Sequence, residues 1–139
     1  MVPKLTISNL ITKTARVVGR RYQRECAPLG ITAPQAGVVW ALAEAGPKSQ
    51  VELTEFLHLE KTNVNTMVKK LVDAEIVTLR KVPEDARKTL VCLTAKGKRL
   101  SKKLYKVDAD VSARITDLID NKSDEQIIRT FLERIFYGG

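Results

Sequence analysis

Residues 49–94 read SQVELTEFLHLEKTNVNTMVKKLVDAEIVTLRKVPEDARKTLVCLT, and this stretch decides the fold. Ser49-Gln50-Val51-Glu52 has the form of a capping box, in which the serine hydroxyl accepts from a first-turn amide and the glutamate reaches back. It opens a short helix carrying Val51, Leu53, Phe56 and Leu57, with a turn at His58-Leu59. Val64, Met67, Val68 and Leu71 then recur at helical spacing, leaving Lys61, Thr62, Asn63, Asn65, Thr66 and Lys69 outward or in the exposed first turn. Segments 76–82 and 88–93 are rich in β-branched residues and bracket the turn-prone Pro83-Glu84-Asp85-Ala86, so they read as a basic β-hairpin. Two helices at a tight turn followed by a hairpin can lay one helix in the DNA major groove while the hairpin reaches a neighbouring groove.

Outward from this core the chain stays helical. Ile7, Leu10, Ile11, Thr14, Val17, Val18, Arg21 and Tyr22 follow one helical face, and Leu29-Gly30-Ile31 breaks it. Thr32-Ala33-Pro34-Gln35 is another capping box, opening a helix with Val38, Val39, Trp40 and Leu42 that ends near Gly46-Pro47. After Thr94, Leu100, Leu104, Val107, Val111, Ile115 and Leu118 alternate steps of three and four until Asp120-Asn121-Lys122. Ser123-Asp124-Glu125-Gln126 reads as a third capping box, before Ile127, Ile128, Phe131, Leu132, Ile135 and Phe136.

The expected architecture is mainly α with a small β-hairpin wing. It is a single domain over 1–139, with 32–93 as the winged helix-turn-helix lobe. Residues 1–31 and 94–139 form a helical dimerisation region, because their apolar stripes exceed what the small central module can cover.

The chain has 139 residues and a formal net charge of +8, an excess that favours polyanionic partners. No apolar run is long enough for a bilayer, and the N-terminus MVPKLTISNL lacks an export signal, so neither membrane association nor export is expected. Cys26 and Cys92 lie far apart, and His58 is the one histidine. These suit a reducing, cytoplasmic setting and build neither a metal site nor a catalytic constellation. No cofactor is expected. Cys26 reads as an inert buried cysteine, with an oxidant-sensing thiol as the alternative, Cys92 as a core or sheet-surface residue, and His58 as a solvated turn residue.

The chemistry of base edges calls for donors and acceptors on a helix, and Thr62, Asn63, Asn65 and Thr66 carry both. Lys61 and Lys69 sit nearer the phosphates, and Ser49 and Gln50 open a helix whose amides favour one. Thr62 is open to a capping role instead, and a merely solvated face would also carry Asn and Thr. Arg80, Lys81 and Lys88 read as general phosphate attractors or a solvated face.

Asp85-Ala86-Arg87-Lys88-Thr89-Leu90-Val91-Cys92-Leu93-Thr94-Ala95-Lys96-Gly97, together with Thr32-Ala33-Pro34-Gln35 and the spacing from Leu53 to Leu71, resembles the MarR family of bacterial winged-helix transcriptional regulators. The resemblance covers nearly the whole chain. It implies a homodimer on a palindromic DNA operator, with Arg87 reaching the minor groove and Asp85 orienting it by an ion pair. It also implies a small aromatic or anionic effector, for which Arg16, Arg20, Tyr22 and Trp40 are the candidate lining. Two positions depart from the pattern: Glu75 fills the usual glycine slot after the recognition helix, and Glu60 fills its N-cap. The competing reading is a winged-helix protein-interaction module without DNA binding, which an acidic or apolar recognition face would favour; the face here is Lys, Asn and Thr.

Overall fold

A computed structural model describes residues 3–138. The elements run α1 (Ile7–Cys26), a 3₁₀ turn (Ala27–Leu29), α2 (Ala33–Ala45), α3 (Gln50–Leu57), α4 (Lys61–Asp73), β1 (Val77–Val82), β2 (Asp85–Leu93), α5 (Ala95–Thr116) and α6 (Lys122–Gly138). Both central capping boxes form as reciprocal pairs. The Gln35 amide donates to the Thr32 hydroxyl at 3.2 Å and the Thr32 amide to the Gln35 side chain at 3.1 Å. Ser49 and Glu52 repeat the arrangement at 3.2 and 3.1 Å. The third box is displaced. α6 opens from Asn121, whose side-chain oxygen accepts from the Asp124 amide at 2.9 Å, because an asparagine upstream of Lys122 caps as well as serine does. The preceding helix also ends earlier than its apolar repeat suggests: α5 stops at Thr116 and Leu118 is 78% exposed beyond it.

The packing divides the chain into two compact units, Met1–Val107 and Asp108–Gly139, with the boundary inside α5. In the first unit, the chain turns by 81° between the stretch 7–29 and α2, which brings Cys26 and Ile31 into one core with Val38, Val39, Leu53, Val64, Val68 and Leu71. Burying a leucine such as Leu53 completely makes its truncation cost about 2–5 kcal/mol. α3 buries little besides Leu53; Val51 and Phe56 are 59% and 41% exposed, so its apolar positions do not all face inward.

The end of α4 and the start of α5 lock together. Glu75 takes φ 61, the left-handed conformation of the C-terminal cap, and the Ile76 amide donates back to the Leu71 carbonyl at 2.9 Å. The glycine slot thus keeps its geometry with a glutamate in it. The Thr94 hydroxyl donates to the Glu75 carbonyl at 2.6 Å and accepts from the Gly97 amide at 3.0 Å, capping α5. The Lys96 ammonium donates to the Ala74 carbonyl at 2.8 Å, a cation at the negative end of α4. Gly97 lies so close to the Ile76 carbonyl that a β-carbon there would collide with it.

The hairpin turn is tighter than the sequence suggests, because β2 begins at Asp85 and only Pro83 and Glu84 lie between the strands. Register holds from Val77↔Leu93 to Lys81↔Thr89, then jumps to Val82↔Asp85, leaving Ala86, Arg87 and Lys88 without cross-strand partners. This is a bulge, and bulges re-aim side chains. At the other end, Lys48 and Val91 exchange backbone hydrogen bonds at 3.3 and 2.7 Å, tying the entry of α3 to the wing.

In the second unit, α6 has no buried residue, although Ile128, Leu132, Ile135 and Phe136 repeat at helical spacing. No single helix among the described residues is long and apolar enough to cross a membrane.

Candidate nucleic-acid interface

The outer face of α4 is set by what its inner face buries. Val64, Val68 and Leu71 are fully buried, so Thr62, Thr66 and Lys69 project furthest from the core. Lys61 is exposed in the first turn. Thr62 does not cap: Glu60 is the N-cap, its side chain makes no capping bond, and the Val64 amide donates to its carbonyl at 3.1 Å. The Thr66 hydroxyl donates to the Thr62 carbonyl at 3.0 Å, so it offers a ligand only its acceptor lone pairs.

Asn63 and Asn65 are two residues apart, about 200° around the helix, and cannot serve the same edge of a groove. Asn63 is exposed and lines a groove of about 500 Å³ with Thr32, Gln35, Thr66 and Lys70. Asn65 is half-buried on the opposite flank. The first of these grooves contains residues that the sequence did not single out. Lys70 follows Asn63 at i+7 and could have been found from that spacing. Gln23 lines it from α1, and its side-chain oxygen accepts from the Ala33 amide at 2.9 Å; no sequence signal pointed to that cross-helix contact.

A second groove of about 520 Å³ is shared by α3 and the wing. Ser49 and Gln50 form one wall, and Asp85, Arg87 and Lys88 the other. The Lys88 ammonium lies 3.5 Å from Glu52, an exposed pair worth little to stability. Hydrogen bonds from Ser49 pull the Glu52 carboxyl below its ordinary value, with Lys88 and Lys48 adding to the effect. The Asp85 carboxylate accepts from the Arg87 backbone amide at 3.1 Å. This contact holds the turn backbone at Arg87, and among the described residues no ion pair joins Asp85 to the Arg87 guanidinium. Arg87 itself is exposed within the bulge.

The four effector candidates are less gathered. Arg16 and Arg20 are exposed one turn apart on α1, and Tyr22 is half-buried. The Trp40 ring meets Phe56 of α3 with centroids 5.9 Å apart. The grooves on α6, beside α4 and beside α3 are lined by other residues. Cys26 is 1% exposed, and burial with Glu25 nearby raises its pKa, the reverse of what a reactive thiol needs.

Comparison with known proteins agrees with this geometry. Residues 29–88 match the family model described as the MarR family. The chain is 27% identical over 128 residues to the uncharacterized HTH-type transcriptional regulator YwoH of Bacillus subtilis, covering 89% of this chain and 92% of that one. A MarR transcriptional regulator from Methanosarcina mazei superposes with a TM-score of 0.85 at 25% identity, over 96% of this chain and 95% of its own. A mutant MarR from E. coli complexed with operator DNA superposes with a TM-score of 0.84 at 24% identity, over 93% and 92%. Proteins of this family are regulators rather than enzymes. Over residues 29–88 the chain is thus similar to the MarR family, and over nearly its whole length it shares the fold of MarR-type transcriptional regulators.

Proposed function

We propose that the protein acts as a cytoplasmic homodimer on a palindromic operator. Each α4 enters the major groove, with the two half-sites about 10 base pairs apart. Ser49 and Gln50 hold a phosphate, Lys61 and Lys69 flank it, and Thr62, Thr66 and one or both asparagines meet base edges. Arg87 enters the adjacent minor groove, where negative potential is concentrated. The observation that carries this reading is the groove joining the N-terminus of α3 to the bulged wing.

Selection of bound fragments from genomic DNA supplies the operator, and titration with Arg87→Ala then tests the contact. Affinity is expected to fall at least tenfold, about 1.4 kcal/mol, with the fold unchanged. Asp85→Ala should cost less, since it loosens the turn but leaves the charge. An Arg87→Ala loss that merely tracks the unfolded fraction would assign the residue to the fold.

Release by a small aromatic or anionic effector belongs to the same proposal. Arg16 and Arg20 offer charge, and Tyr22 and Trp40 offer aromatic surface. Aromatic acids that displace the operator from the native protein should fail to do so with Arg16→Ala/Arg20→Ala. Equal displacement from both would remove the arginines from the effector site.

A further inference from the structure

The positive charge of this protein does not sit where the sequence-reading contacts do. Residues 49–88, from the cap of α3 to the wing, hold seven cations and seven acids and are neutral overall. Residues 108–139 hold four cations and seven acids. The excess is carried by α1, with five cations against Glu25 alone, and by residues 95–107 of α5, with six cations and no acid.

Within α5, Lys96 is engaged at the end of α4. Lys98, Arg99, Lys102, Lys103 and Lys106 are all exposed, and among the described residues none pairs with a carboxylate. They recur at steps of three and four, which places them in adjacent rows on one face. Leu100 and Leu104 pack into the core on the other side. Five like charges along about 12 Å of helix repel one another, and no acid on this stretch offsets them.

The chemistry of the face selects its partner. A protein interface needs apolar or aromatic anchors, and a membrane surface needs an apolar stripe beside the cations. Here the apolar stripe is already used in the core, and the neighbouring Tyr105 donates its hydroxyl to Glu44 of α2. A duplex backbone, with one charge per about 1.7 Å, asks only for dense cations. None of the five lines the grooves beside α4 or α3.

We propose that the face formed by Lys98, Arg99, Lys102, Lys103 and Lys106 binds the phosphate backbone of duplex DNA without reading bases, as a second contact distinct from the winged helix-turn-helix. It supplies the larger share of the salt-dependent, sequence-independent affinity. This rests on the DNA-binding reading above and adds to it where that affinity comes from.

The test compares the native protein with a variant carrying Lys98→Gln, Arg99→Gln, Lys102→Gln, Lys103→Gln and Lys106→Gln, changes that keep helix propensity. Binding to random-sequence duplex is titrated over a salt series. The slope of log affinity against log salt should become shallower by up to about 4.5, near 0.9 for each cation removed. Affinity for random sequence at low salt should fall at least tenfold, so the selected operator should stand out more clearly against it. A milder Lys98→Gln/Lys102→Gln variant should change the slope by about 2 on the same scale. Replacing the four lysines by arginine should restore native binding. Unchanged slope and affinity would overturn the proposal, as would a variant whose oligomeric mass changes while its DNA affinity does not. If the native protein binds no duplex at all, the DNA-binding reading falls too; if it binds and the variants match it, only the α5 contact falls.

Discussion

At the scale of single residues, three backbone-driven choices hold the recognition helix in place. Glu75 pays a left-handed φ that glycine would take without strain, Thr94 bridges its carbonyl to the next helix, and Gly97 lets α5 pass against Ile76. Gly97→Ala should therefore destabilise the protein by about 2 kcal/mol or more, because the collision is with a backbone carbonyl that cannot rotate away. Urea unfolding followed by circular dichroism measures this, and a loss within a few tenths of a kcal/mol would mean that α5 can shift freely. The glycine was visible in the sequence as part of a motif, but its reason was not. The Ile76 carbonyl is 21 residues away in sequence and lies beside Gly97 in the folded chain, just past the left-handed turn at Glu75.

At the scale of elements, the helix starts were legible wherever a cap is local. Thr32 and Ser49 are followed three residues later by Gln35 and Glu52, and both boxes form because all partners lie within one turn. The start of α6 was misjudged because Asn121 and Ser123 are both competent caps, and the spacing alone does not choose between them. α4 shows the converse case, a helix whose N-cap carries no side-chain bond. Glu60→Asp shortens the side chain to capping length and should stabilise the protein by about 0.5–1 kcal/mol. Thermal unfolding checks this, and a lowered midpoint would show that Glu60 has a role beyond the cap.

The capping box of α3, with a smaller share from Lys88 of the wing, also has a pH signature. The folded Glu52 carboxyl lies below its ordinary value of 4.5, so its stabilising share is present above that value and is lost as pH falls through the folded value. The difference in unfolding midpoint between native protein and Glu52→Gln should close with acidification, whereas a difference independent of pH would exclude the charge as its source. The exposed geometry of the wing was harder to read. Its strands were recognisable by composition, but the bulge that frees Arg87 depends on where register slips, which composition does not encode.

At the scale of the whole molecule, the apolar surface is what the chain itself leaves unexplained. α6 runs for 17 residues without burying one, and Ile128, Leu132, Ile135 and Phe136 are 44–53% exposed along a single stripe. α1 likewise exposes Ile7 at 62%, Leu10 at 44% and Val17 at 41%. Scattered exposed leucines are ordinary, whereas stripes at helical spacing on two separate helices are what the proposed homodimer would bury. The cationic face of α5 is unsuited to the centre of a two-fold contact, where it would set like charge against like, and the α6 stripe is the candidate tested first. Light scattering of the native protein is expected to return the mass of two chains at micromolar concentration. Leu132→Glu/Ile135→Glu places two carboxylates on the α6 stripe without touching any residue of the first unit's core, and should return the mass of one chain with the winged lobe still folded. Operator affinity should then drop on the order of a hundredfold or more, because two tethered half-site contacts become independent events. Random-sequence binding through single protomers should fall far less. A native protein that scatters as one chain throughout the micromolar range would refute the dimer and the palindrome together. A dimer that survives both glutamates would move the interface away from α6.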